Sequence, residues 1–229
     1  MEGGRSAMAR VILVWSLTPC LALSGCGGRS NPEGQGPTDW QRDLDGASPE
    51  GRRRAVEALQ RVGLRAIPMF VVALGSADPA VRASAARALG RIGPMAVETV
   101  PALTHVVAHD PDRDVRVAAA ETLGRMGDIA RDAGPALTHT LADSDADVRS
   151  SAALALGRIG ASEPAAVSSL VETLSDPQPD VRASAATALG QLGPDARAAV
   201  PALREALSDS RPLVRMLAED ALRRIDADD

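Results

Sequence analysis

The chain has 229 residues, 30 acidic and 25 basic, with a formal net charge of −5. Every basic residue is Arg, and aromatic residues make up only 1%. A net-acidic chain with interspersed charges is a poor binder of polyanions, and so few rings leave nothing for base stacking or an aromatic-lined pocket. Nucleic acid is therefore excluded as an expected partner.

The first predicted element is a leader. Arg5 and Arg10 precede an apolar run from Val11 to Leu23 that is too short to span a bilayer comfortably. The run ends in Leu23-Ser24-Gly25-Cys26, which resembles the lipobox of bacterial lipoproteins. In that family the Cys thiol attacks the lipid donor, and the acylated Cys becomes the new N-terminus. The resemblance implies that residues 1–25 are a signal peptide and that Cys26 is the lipidation site and membrane contact. The alternative is an ordinary cleaved signal with an incidental Cys. No Cys follows Cys26, so once residues 1–25, with Cys20, are removed that thiol has no disulfide partner. Several acyl chains, at roughly 0.8 kcal/mol per buried CH₂, would anchor firmly. Residue 28 is Gly rather than Asp. By the sorting rules of lipoproteins this implies the cell envelope, at the periplasmic side of the outer membrane. Residues 26–38 are rich in Gly, Pro and polar side chains and read as a flexible tether.

Residues 39–229 are organised by repetition. Val81-Arg-Ala-Ser-Ala-Ala-Arg-Ala-Leu-Gly-Arg-Ile-Gly93 returns nearly unchanged as Val181 to Gly193. The Val-Arg pairs at 81, 115, 148, 181 and 214 step by 34, 33, 33 and 33 residues, and Arg52 to Gly63 is a shorter first copy. A period of this size means one supersecondary unit stacked many times. In the last unit, Ala199, Val200, Leu203 and Leu207 predict an A helix over 196–207, and Ser208 to Pro212 a turn. A B helix follows over 213–224, with Pro212 suited to its first turn. In the copy at 181, Val181, Ala185, Ala188, Leu189 and Leu192 form the apolar stripe, and Gly193 is placed for a left-handed cap. Gly90, Gly124, Gly157 and Gly190 fall inside the B pattern, where Gly costs about 1 kcal/mol against Ala, so another backbone is expected to approach there.

Ser76, Asp110, Asp143, Asp176 and Asp209 end the A helices, and Arg82, Arg116, Arg149, Arg182 and Arg215 follow six residues later. Stacking lays them in two parallel rows. One reading is an anion-binding or catalytic row; the favoured one is a structural ladder of Asp–Arg pairs that caps helices and sets the repeat spacing.

The pattern V-R-x-x-A-A-x-A-L-G-x-x-G after an A helix ending in Asp resembles the HEAT-repeat family, in its short variety named after phycobilisome lyases. The resemblance covers residues 48–225. It implies an all-α fold: a right-handed α-solenoid of about five and a half antiparallel helix pairs, with B helices on the concave side. Residues 38–47, with Trp40 and Leu44, are the expected degenerate first A helix. On a B-helix wheel, the second and sixth residues after each Val point furthest from the stripe. The expected partner-binding floor is therefore Ala83, Arg87, Val117, Glu121, Ser150, Leu154, Ala183 and Thr187, continued by Met216 and Asp220.

No site of catalysis is legible. A phosphate loop ending in Gly-Lys needs a Lys, and no Gly-x-Ser-x-Gly elbow occurs. His105 and His109 share a helix face, and His139 matches His105 one repeat on; these are the weak candidates for a metal, against solvated His on the convex face. The His-Glu dipeptides through which some HEAT-like enzymes hold iron are absent from the sequence. The expectation is a non-enzymatic, membrane-tethered protein–protein interaction scaffold without a cofactor, taking a protein or peptide on its concave face. The alternative is a small metal-binding or lyase-like enzyme.

Overall fold

The computed structural model describes residues 63–226, so the leader, Cys26, the tether, Trp40 and most of the first repeat copy lie outside the described residues. Among the described residues the secondary structure is helical throughout, in five antiparallel pairs. The A helices are α1 (Ile67–Ala73), α3 (Val100–His109), α5 (Gly134–Thr140), α7 (Pro164–Thr173) and α9 (Val200–Ala206). The B helices are α2 (Pro79–Ile92), α4 (Arg113–Met126), α6 (Ala146–Ile159), α8 (Pro179–Leu192) and α10 (Pro212–Ile225).

Each B helix begins on local chemistry. Asp112 and Asp145 accept two backbone N–H bonds each at the starts of α4 and α6, and Asp78 accepts one at the start of α2. Helices α8 and α10 have no side-chain cap but carry Pro in the first turn, where a missing N–H costs nothing.

The A helices begin differently from the expected continuous run. Residues 193–199 form a 3₁₀ segment with a non-helical Ala196, and α-geometry starts only at Val200. Pro201 has no N–H to give the Arg197 carbonyl, so Val200 N–H bonds it instead, which tightens that turn. Pro101 and Pro135 stand at the same place in α3 and α5. Gly193 also departs from expectation: its φ is 58° but its ψ is −136°, outside the left-handed helical region. The chain must turn straight into the 3₁₀ segment there. Gly160, which leads into a short non-helical link to α7, does have left-handed helical angles, φ 67° and ψ 37°.

One core runs through the stack. Val81, Ala85, Ala88 and Leu89 of α2 are buried, and so are the matching residues of α4, α6 and α8. Leu103, Leu137, Leu170 and Leu203 meet them from the A side, fully buried. Each such Leu is worth roughly 1.5–3 kcal/mol of burial.

The B layer is the tightly packed one. A Cβ at Gly157 would stand 2.7 Å from Ala188 Cα, at Gly190 3.0 Å from Ala221 Cα, and at Gly124 3.1 Å from Ala155 Cα. Neighbouring backbones touch at these three glycines. At Gly90 the neighbour is a side chain: Thr122 Oγ1 would lie 2.8 Å from the Cβ, and it donates to the Ala86 carbonyl. In the A layer, α5 and α7 leave a cleft of about 230 Å³ lined by Leu141, Ser169 and Thr173 among others. A stack whose layers differ in this way bends toward the closer one, which puts the B helices on the inner arc.

Candidate interaction surface

The rungs between repeats come first, because they set the spacing of everything on the inner arc. Arg82 Nε and Nη2 donate to the two carboxylate oxygens of Asp110 at 2.7 and 2.8 Å. The same two-pronged bond joins Arg116 to Asp143, Arg149 to Asp176 and Arg182 to Asp209, all between 2.7 and 3.0 Å. Nη1 of each Arg donates back to the carbonyl of its own repeat's rung residue: Ser76, Asp110, Asp143 and Asp176. Each Asp also accepts the N–H two residues on, from Asp112, Asp145, Gln178 or Arg211. Each of these four guanidinium groups thus clamps a helix end in its own repeat and a carboxylate in the next.

These paired side chains are only 6–14% exposed, which separates them from ordinary surface pairs. The bond to its Asp holds each of Arg82, Arg149 and Arg182 above its ordinary value. The Arg182 bond, with the Arg211 N–H, holds the Asp209 carboxyl down at about 2. Burial pushes Asp176 up, but the Arg149 bond and the Gln178 N–H outweigh it, and its carboxyl lies below the ordinary value. The saturated bonding of these four rungs leaves them no free donor edge for a ligand anion.

Arg87 is exposed, and Val117, Glu121, Ser150, Leu154, Thr187 and Asp220 are half-buried on the inner arc. Met216 is 55% exposed. Ala83 and Ala183 are not part of the floor: both are buried, at 4% and 6%. The second position after Val leans toward the following B helix, and an Ala there is covered once that helix sits at glycine-contact distance. The Ser150 hydroxyl shows the same lean, pairing with Ser184 of the next helix at 2.8 Å. Thr187 is also satisfied internally, donating to the Ala183 carbonyl. Of the floor residues, Arg87, Val117, Leu154 and Met216 keep open side chains, while Glu121 and Asp220 stand beside arginines of their own helices.

Two rows on the same face escaped the sequence reading. Asp114, Asp147 and Asp180 precede each Val by one residue and are exposed. Arg91, Arg125, Arg158, Gln191 and Arg224 follow it by ten and are exposed as well. They stand seven residues before and four after the sixth position, which brings them within about 40° of it. Applying the helical spacing in both directions would have found them. The two rows lie about 16 Å apart along the helices. The acidic edge is partly neutralised by Arg113, which contacts Asp145, Asp114 and Asp147 at 2.8, 3.3 and 3.5 Å. On the basic edge Arg125 lies 3.9 Å from Glu121, and Arg224 pairs with Asp220 at 2.8 Å.

His105 and His109 stack with ring centroids 4.7 Å apart, and His109 Nδ1 lies 3.1 Å from the His105 carbonyl. Burial, then His109, push His105 below its ordinary value. His139 is exposed on α5. Among the described residues no three of His, Cys, Asp and Glu are gathered to hold a metal.

Sequence models of HEAT repeats match residues 42–124, 100–174 and 167–229. The chain belongs to the HEAT-repeat family. No curated protein matches it. Its HEAT-repeat fold is similar to that of a designed armadillo repeat protein solved in complex with the peptide (KR)4: 19% identity, TM-score 0.63, covering 82% of this chain and 98% of that one. An engineered protein shares 24% identity with a TM-score of 0.62, covering 82% of this chain and 96% of that one. At these identities the likeness is one of fold. The complex of CpcE and CpcF of phycocyanin lyase from Nostoc sp. PCC7120 is 25% identical with a TM-score of 0.58, covering 89% of this chain and 80% of that chain. Among the described residues no helix of this HEAT-repeat chain is long and apolar enough to cross a membrane.

Proposed function

We propose that this chain is a protein-interaction scaffold that takes an extended peptide or a partner helix along its inner arc. The observation that carries the reading is the inner surface itself. Open side chains of the five B helices lie in parallel rows on one face, in a shallow floor that mixes charge with the aliphatics Val117, Leu154 and Met216. Such a floor suits a strand or helix lying across it better than an enclosed small molecule. The designed armadillo neighbour was solved with a peptide, which supports this class of partner. The lipobox-like Leu23-Ser24-Gly25-Cys26 supports a scaffold held in the cell envelope by acylated Cys26, on the periplasmic side of the outer membrane.

Glu121 and Leu154 lie at the middle of the floor, where binding energy concentrates. The double variant Glu121→Arg, Leu154→Glu, checked by circular dichroism to be folded, should lose the proteins that wild type cross-links and captures from membranes. Capture at unchanged affinity would rule out the inner arc. For the anchor, Cys26→Ser should release the chain from the membrane fraction; a chain that stays there is held by something else.

The likeness to the phycocyanin lyase complex favours a second reading, a lyase-like enzyme. Purified protein carrying a bound chromophore or metal would favour that reading over the scaffold.

A further inference from the structure

We propose that the Arg215 guanidinium is a preformed carboxylate site, and that it takes an Asp or Glu side chain of a partner protein docked on the face of α10 turned away from α8. The inference goes beyond the inner-arc reading and does not depend on it.

Arg215 is the fifth arginine of the ladder. Its Nη1 donates to the Asp209 carbonyl at 2.8 Å and to the Ser210 carbonyl at 3.3 Å. Arg182 makes the same contacts to Asp176 and Pro177 at 2.8 and 3.4 Å, and Arg149 to Asp143 and Ser144 at 2.9 and 3.2 Å. The inner half of the guanidinium is therefore held as in the filled rungs. The outer half is not: Nε and Nη2 of Arg215 meet no carboxylate among the described residues, whereas the four earlier arginines each meet one. The entropy of orienting the side chain is already spent, and the planar fork matches a carboxylate with two parallel bonds.

Another repeat stacked in the usual way does not fill this fork. Where inner repeats carry Ala86, Ala120, Ala153 and Ala186, α10 carries Glu219, and where they carry Gly157 and Gly190 it carries Arg223. Glu219 and Arg223 are both 62% exposed in their side chains and bonded to each other at 2.8 Å. These long charged chains forbid the backbone contact through which the B helices stack. They lie one and two turns beyond Arg215, so the first turn stays open. It is rimmed by exposed Pro212, Leu213 and Met216, the last two 49% and 55% exposed. An arginine fork beside an apolar patch is the composition of a protein contact centre. The nearby Asp209 carboxylate is taken by Arg182, and Glu219 by Arg223, so among the described residues neither is turned to the fork.

The test uses the full chain labelled with ¹⁵N and reads the arginine Nε–H signals. In the free protein those of Arg82, Arg116, Arg149 and Arg182 should exchange slowly with solvent, and that of Arg215 fast. The probe is a synthetic peptide with the sequence of residues 202–212, whose Asp at the place of Asp209 is the group that fills the Arg182 fork. It should shift the Arg215 signal saturably, and the same peptide with Asn at that place should bind at least tenfold more weakly. Arg215→Lys, folded by circular dichroism, keeps the charge without the fork and should lose at least tenfold in affinity for the Asp peptide. Slow exchange at Arg215 in the free protein would overturn the proposal, because the fork would then be filled within the chain. Equal binding of the Asn peptide, full retention by the Lys variant, or no saturable shift with the Asp peptide would overturn it as well.

Discussion

The Arg149–Asp176 rung is the clearest case of what a single residue does in this solenoid. Both side chains are largely buried, and each bonds backbone as well as its partner. Breaking such a pair from one side leaves a charge without its counter-ion, which costs about 3 kcal/mol or more. Asp176→Ala should therefore lower stability by about 3 kcal/mol in chemical denaturation. Arg215→Gln breaks no carboxylate pair among the described residues and should cost much less than Arg149→Gln in the same assay. The rungs also make stability fall in acid. Asp209 titrates near 2 in the fold, below its ordinary 3.8. A depressed carboxyl stabilises fully above its unfolded value and loses that contribution as pH falls through the folded one. Thermal melts should thus decline from about pH 5 toward pH 2, and Asp209→Asn should be less stable than wild type at pH 7 but converge with it near pH 2.

At the scale of the element, the B helices are shaped by contact rather than by propensity. Gly157 lies in the last turn of α6, where Ala would still be favoured in isolation, by up to about 1 kcal/mol. The structure sets against that a Cβ 2.7 Å from Ala188 Cα and 2.5 Å from Gln191 Oε1. Gln191 can swing away; the α8 backbone cannot, and forcing neighbouring helices apart costs typically 1–3 kcal/mol. Gly157→Ala should lower the melting temperature, and by more than Gly190→Ala, where the nearest backbone atom is 3.0 Å away. A variant as stable as wild type would mean that the seam between α6 and α8 is looser than these distances.

In the whole molecule, each repeat meets only its neighbours, so the stack is close to a one-dimensional sum of unit and interface terms. Deleting residues 144–176 removes one 33-residue unit and leaves Asp143 joined to Pro177. Arg116 keeps Asp143, Arg182 keeps Asp209, and Gly124 meets Ala188 in place of Ala155, the same pair of residue types. The shortened chain should fold with unchanged helicity per residue and a lower melting temperature. Unfolding of that variant at room temperature, read by circular dichroism, would contradict a nearest-neighbour architecture.

The sequence by itself determined the helix pairs, their order and the buried stripe, because a 33-residue period and an i, i+4, i+7, i+8 pattern are local properties of a chain. The Asp–Arg spacing was legible for the same reason: one short motif, copied at a constant period, must meet its neighbour's copy. What the tertiary structure decided depends on how close two helices come. Ala83 and Ala183 face outward on a single-helix wheel but are covered by the next B helix, and the wheel contains no next helix. Gly90 faces the Thr122 hydroxyl where its three counterparts face backbone, since a one-residue change in the neighbouring repeat alters the seam. The rows at Asp114 and Arg158 were available to the wheel but only the packed stack shows them as two edges of one floor. The Arg215 fork, unmet by any carboxylate among the described residues, is likewise invisible in its own repeat, whose motif is that of the others; it shows only when the exposed Glu219–Arg223 pair is seen in place of the small residues that meet a next helix.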